Sequence, residues 1–180
     1  MTSHRPTMSD RVIAFLARKR VPLGFVTAIA ALVLARPTWT SWRVGLLVAL
    51  AGEAVRVWAA GHLEKGREVT SSGPYRWTAH PLYVGSSILA VGVVIAARSV
   101  PLAILAALYM SATITAAIRT EEAFLQRTFG DAYDRYQQSR VEPTARRFSL
   151  ARAMRNREYR AALGVLVGFA LLALKVLLPI

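Results

Sequence analysis

The sequence predicts an all-α polytopic membrane helix bundle with about five transmembrane helices. Two observations predict it. Of the 180 residues 54% are hydrophobic although the formal net charge is +13, a combination that soluble domains rarely show. The charge is also segregated: apolar blocks of near-spanning length cover residues 21–35, 44–60, 81–97, 100–118 and 161–180, and most charged residues lie between them. Such blocks approach the ~20 residues that cross a hydrocarbon core as a helix. Five spans leave little room for a second unit, so residues 1–180 are expected to form a single domain.

Each block has its own signature. The first is short, and Arg36 at its end can snorkel while Trp39 and Trp42 sit at the membrane interface. Ahead of it, Ser9 is placed to cap a short amphipathic helix bearing Val12, Ile13, Phe15 and Leu16. No cleavable signal peptide is expected there. The second block contains Glu53 and Arg56, three apart and so on one helical face, where charged groups turn to the bundle interior and pair. The third and fourth blocks carry no charge, and only Arg98 and Ser99 separate them; they predict a tight helical hairpin. After the fourth block, residues 119–136 predict an amphipathic helix leaving the membrane, which Gly130 can break or bend.

Orientation follows from the basic residues. With five spans, eighteen Lys and Arg fall on the side of the N-terminus, the second connection and the fourth, against Arg36, Arg43 and Arg98 opposite. The crowded side is therefore expected to be cytoplasmic and the C-terminus outside. Twenty Arg against three Lys suit a GC-rich bacterial genome, hence an inner membrane.

Composition also excludes chemistry. There is no cysteine, which removes thiol catalysis, thiolate metal sites and disulfides. His4, His62 and His80 are too scattered for a metal site. No nucleotide-binding glycine motif, P-loop, HExxH or GxSxG occurs. The basic residues follow membrane topology rather than one aromatic-laced patch, which argues against nucleic acid. The basic stretch 146–160 suits anionic membrane lipids instead. No signal sets the oligomeric state.

Two segments on the cytoplasmic side carry candidate chemistry. In GPYRWTAHPLYVG, Gly73 and Pro74 mark a turn, Pro81 can open a helix without losing a needed N–H, and His80 stands at that helix's entrance. Tyr83 lies one turn in, and Gly85 and Ser86 permit close approach. A helix N-terminus can receive a carboxylate, although a turn followed by an aromatic membrane anchor has the same pattern. In RTEEAFLQRTFGDAYDRY, Glu121 and Glu122 sit at a membrane mouth, Arg119 and Glu122 share a face, and so do Tyr133 and Tyr136; a solvated helix with surface ion pairs is the plainer reading. Arg56 either forms a structural pair with Glu53 or orients an anionic headgroup or carboxylate.

These two segments, in this order and separated by a two-helix hairpin, resemble the isoprenylcysteine carboxyl methyltransferases and the related phospholipid methyltransferases. With the stretch GEAVRVWAAGHL, the resemblance covers about residues 52–136. It implies S-adenosylmethionine at the cytoplasmic mouth and a lipophilic or membrane-associated acceptor arriving from the bilayer. Carried over by position, Tyr75, His80, Tyr83, Gly85, Glu121 and Glu122 would bind the cofactor; a carboxylate acceptor would need no strong base, only an orienting cation such as Arg56 or Arg119. The sequence departs from the family at Ala79, where an Arg is usual: either Arg76 covers the missing charge, or the acceptor or cofactor pose differs from the usual one. Two other classes remain compatible: a membrane-embedded NADPH-dependent sterol-type reductase, and a non-catalytic membrane scaffold.

Overall fold

The computed structural model describes residues 8–138 and 144–178, and all the regular secondary structure among them is helical. Seven helices follow one another: α1 (Met8–Leu34), α2 (Trp39–Ala60), α3 (Pro81–Ala97), α4 (Val100–Phe129), α5 (Asp131–Gln137), α6 (Leu150–Arg155) and α7 (Tyr159–Leu177), with a 3-10 turn at Gly73–Arg76. His4, Arg5 and Arg140 lie outside the described residues, as do the side chains of Ser9, Val12, Ile13 and Leu16. The separate short helix expected ahead of the first block is absent: one helix runs from Met8 through Pro22 to Leu34, and Ser9 lies within it.

Two helices are both long and apolar enough to cross a membrane, Val100–Phe129 and Tyr159–Leu177. The apolar helix Pro81–Ala97 has 17 residues, or roughly 25 Å at 1.5 Å per residue. α2 has 22 residues but carries Arg43, Glu53 and Arg56, and in α1 only Pro22–Leu34 is continuously apolar. The expected hairpin between the third and fourth blocks is present. Arg98 adopts a left-handed conformation (φ 49°) and caps α3, while the Ser99 hydroxyl accepts from Leu102 N and starts α4. At 30 residues, α4 is about 45 Å long, well beyond a hydrocarbon core of ~30 Å. The amphipathic stretch after the fourth block is therefore the end of this same helix, and Gly130 (φ 45°) separates it from α5.

The tightest packing joins α2 and α3, which run antiparallel. A Cβ on Gly52 would stand 2.5 Å from Leu89 N, and one on Gly92 2.5 Å from Ala49 N. Neither fits, so small residues are what let the two backbones touch, as in helix pairs within lipid. The same contact is fastened at one end by hydrogen bonds from Ser41 Oγ to the Ala96 carbonyl (3.1 Å) and from Arg36 N to the Ala97 carbonyl (2.8 Å). Behind it, Ala35, Ala49, Ala96 and Leu102 bury against Val165, Phe169 and Leu172 of α7. Lys175 donates to the Leu32 and Val33 carbonyls at 2.7 and 3.0 Å, placing a cation on the orphan carbonyls at the negative end of α1.

The connection 61–72 is held from outside. Arg152 pairs with Glu64 (2.7 Å), Arg146 with Glu68 (2.6 Å), and Asn156 donates to the Ala60 and Leu63 carbonyls at 2.8 and 2.9 Å. These bonds turn a long polar connection into a fixed wall over the ends of α3 and α4.

Candidate functional site

Beneath that wall lies a cavity of about 450 Å³, within the size range of small-molecule and cofactor sites. The 61–72 connection, the 3-10 turn, α3, α4 and α5 supply its sides. The first turn of α3 contributes Leu82 and Tyr83, and the end of α4 contributes Ala117, Thr120, Glu121, Phe124 and Leu125. Those α4 positions recur at the i, i+3, i+4, i+7, i+8 spacing of a single helical face. Lys65 and Glu68 close the top, while Tyr75, Tyr133 and Tyr136 form an aromatic flank.

The polar groups converge. Pro81 starts α3, and His80 is the residue before it, with no side-chain capping bond. Its ring is thereby left to reach α4: His80 Nε2 lies 3.2 Å from Glu122 Oε1, and Tyr83 Oη donates to Glu121 Oε2 at 3.0 Å. His80 Nδ1 is buried without a hydrogen-bond partner, 3.9 Å from Glu121 Oε2. Tyr136 Oη donates to the Tyr75 carbonyl at 2.7 Å, which ties α5 to the 3-10 turn, and the Tyr133 and Tyr136 rings stack at 6.3 Å.

Burial, followed by the nearby Glu121 carboxylate, raises the Tyr75 phenol well above its ordinary value. Burial also pushes Tyr136 up to about 12. Both phenols therefore stay protonated at neutral pH and can donate but not act as bases. Carboxylates beside aromatic faces suit a ligand that carries a cation together with hydroxyl or amino groups.

The sequence-derived residues are distributed as follows. Tyr75, Tyr83 and Glu121 line the cavity, whereas His80 and Glu122 are not among its lining residues; they pair with each other, and His80 Nδ1 stands 3.9 Å from the lining Glu121. Gly85 lies elsewhere, in the α2–α3 contact, where a Cβ would meet the Arg56 side chain and the Gly52 carbonyl at 2.7 Å; the close approach it permits is that of α2. Arg119 is exposed, on the side of α4 away from the cavity stripe. Ala79 lines the cavity, whereas Arg76 is exposed outside it; the cation among the described lining residues is Lys65.

Arg56 is paired more extensively than its spacing from Glu53 predicts. Its Nε lies 3.6 Å from Glu53, its NH2 forms hydrogen bonds of 2.9 and 3.1 Å with both Glu158 oxygens, and its NH1 donates to Ser86 Oγ. Sequence reasoning missed Glu158, although a solitary acid in a basic stretch, immediately before an apolar helix, is a readable signal. Arg56 and Ser86 also border a second cavity of about 640 Å³ between α1, α3 and α4, lined by apolar groups such as Phe25, Met110 and Ile114. Tyr83 and Ala117 belong to the walls of both cavities.

The phospholipid methyltransferase family matches residues 54–132, a stretch that contains His80, Tyr83, Glu121 and Glu122. The chain is 30% identical over 133 residues to the nickel-cobalt-cadmium resistance protein NccN of Alcaligenes xylosoxydans xylosoxydans, covering 67% of this chain and 62% of the relative. It is 30% identical over 139 residues to the cobalt-zinc-cadmium resistance protein CzcN of Cupriavidus metallidurans, covering 71% of this chain and 64% of the relative. The chain thus spans less than two thirds of the length of either. No solved structure matches it. Residues 54–132 match the phospholipid methyltransferase family, the family that the segments around His80 and Glu122 resemble.

Proposed function

We propose that this protein is an integral membrane methyltransferase that takes S-adenosylmethionine in the 450 Å³ cavity and methylates a lipophilic or membrane-associated acceptor held in the apolar cavity beyond Tyr83. The convergence of His80 and Tyr83 with Glu121 and Glu122, across about 40 residues of sequence, is the observation that carries this reading. All five long helices cross the bilayer in it, with the N-terminus and the cofactor cavity on the cytoplasmic side of a bacterial inner membrane.

The residues fit such a cofactor. Glu121 and Glu122 can accept its hydroxyl or ammonium groups, the partnerless His80 Nδ1 can meet one more polar atom, and Lys65 is placed to meet a carboxylate. When bound, the cofactor supplies an already activated methyl on a cationic sulfonium, so the protein has mainly to position and to exclude water. Tyr83, fixed by Glu121, presents its ring between the two cavities, and Phe124 and Tyr75 keep the site dry. Arg56 is neutralised by Glu53 and Glu158, so its role is to hold α2, α3 and α7 together around the acceptor cavity. Arg119 has no part in this arrangement.

We read the relatives' names as the physiological setting: methylation of a membrane component in cells exposed to nickel, cobalt, cadmium or zinc. The proposed contribution in that setting is chemical modification of the membrane component.

Calorimetry on detergent-purified protein tests the reading, with S-adenosylmethionine and S-adenosylhomocysteine as ligands and NADPH as control. Saturable binding lost in folded His80→Ala and Glu122→Ala variants supports it. Binding of NADPH instead would favour a reductase, and binding of neither by folded protein would favour a scaffold.

A further inference from the structure

The segment from Thr144 to Arg160 has two faces with different tasks. Its inward side chains hold the cavity wall: Arg146 and Arg152 are turned onto Glu68 and Glu64, and Glu158 onto Arg56. Its outward side chains are cationic and apolar together. Arg147, Arg157 and Arg160 are exposed, and between them stand exposed Phe148, Leu150, Met154 and Tyr159. The acid of this stretch, Glu158, is buried, so within the described residues 144–160 no exposed carboxylate offsets the outward face.

Three further observations set where that face lies. α7, long and apolar enough to cross a membrane, begins at Tyr159, so the segment sits immediately before a candidate span. Phe148 packs against His62, which packs against Trp58, and Trp58 contacts Trp77 at 5.6 Å. Both tryptophans are exposed, and they form with Phe148 an aromatic belt of the kind found at headgroup depth. Arg157 holds a left-handed backbone (φ 64°), a conformation that favours glycine, so a cation is kept at a corner where its backbone is disfavoured.

We propose that the outward face of residues 147–160 is a docking surface for anionic phospholipid headgroups, with Arg147, Arg157 and Arg160 binding the phosphates and Phe148, Leu150 and Met154 entering the acyl boundary. Lipid bound here presses on the segment whose inner arginines fix the roof of the cavity, so the surface joins membrane charge to the position of the 61–72 wall. Nucleic acid, the other polyanion that a basic face attracts, has no use for the apolar side chains interleaved with these arginines.

The test uses the full chain in phosphatidylcholine nanodiscs doped with bromine-labelled phosphatidylglycerol or, at equal fraction, bromine-labelled phosphatidylcholine, with Trp39→Phe and Trp42→Phe so that emission comes from Trp58 and Trp77. Quenching by the anionic lipid should exceed quenching by the neutral one roughly twofold or more, and the excess should shrink in high salt. The triple variant Arg147→Gln, Arg157→Gly, Arg160→Gln should bring the ratio to one, while the triple Lys variant retains it. Arg157→Gly, which suits the local backbone, should lower the ratio alone if the triple variant misfolds. Equal quenching by the two lipids in the parent, an unchanged ratio in the folded triple or Arg157→Gly variant, or loss of the excess on adding single-stranded oligonucleotide would overturn the proposal. None of these readings depends on methyl transfer.

Discussion

Arg56 in α2 and Glu158 at the start of α7 lie 102 residues apart, yet the guanidinium meets both carboxylate oxygens within 3.1 Å. Replacing Glu158 with Ala leaves Arg56 partly buried with only Glu53 as a charged partner. Loss of one member of a buried pair costs about 3 kcal/mol or more, so Glu158→Ala should melt at a clearly lower temperature in detergent. An unchanged melting curve would mean that the pair contributes nothing to the bundle.

The α2–α3 contact tolerates no added atoms. Gly52→Val should cost about 3 kcal/mol or prevent folding altogether, because the nearest atoms are backbone and cannot turn aside. Gly164→Ala in α7 meets nothing within 4 Å and should be neutral or stabilise by up to about 1 kcal/mol through helix propensity. Folded yield on size-exclusion chromatography and thermal melting separate the two cases.

Tyr83→Phe removes the hydrogen bond to Glu121 but keeps the ring. Glu121 then loses the donor that orients it, so S-adenosylmethionine should bind more weakly, with the fold intact. Arg119→Gln, by contrast, should bind as the parent does. Calorimetric titration of the three proteins decides; equal affinities throughout would remove Tyr83 from the site.

His62 makes stability depend on pH. Burial lowers its pKa below the ordinary 6.5, with Arg152, Arg146 and Arg76 acting in the same direction, and the ring is in contact with Ser72 Oγ at 3.2 Å. A depressed value means that the unfolded chain binds the proton more readily, so the contribution is present above pH 6.5 and is lost as pH falls through the folded value. Melting temperature should drop between pH 7.5 and 5, and a folded His62→Gln variant should show a shallower drop.

Much of this arrangement is legible in the sequence because it is local. The hairpin at Arg98–Ser99, the entrance of α3 at Pro81 and the ion pair of Glu53 with Arg56 depend on residues within a few positions of each other. The long-range partners are not legible. Nothing in the spacing of Glu53 and Arg56 announces Glu158, and nothing near Gly85 says that α2 rather than a ligand will approach it. Arg119 illustrates the limit of a shared face. It is three residues from Glu122, but the cavity is lined by the stripe through Ala117, Thr120, Glu121 and Phe124, and Arg119 falls on the opposite side. Lys65 was hidden for another reason: it sits on a connection whose course is set by Arg146 and Arg152, far along the chain.

A wall common to two cavities has a kinetic meaning. Tyr83 divides a chamber under the 61–72 connection, where Lys65, Glu68 and Glu121 gather among apolar groups, from a second chamber that faces α1 and α4. A donor and an acceptor seated on its two sides would come from different phases, one from water and one from lipid, and neither would have to leave for the other to arrive. Turnover would then follow a sequential course through a complex of both reactants, giving intersecting rather than parallel double-reciprocal lines, and dilution of the acceptor within the bilayer would slow the reaction without touching the affinity for the donor.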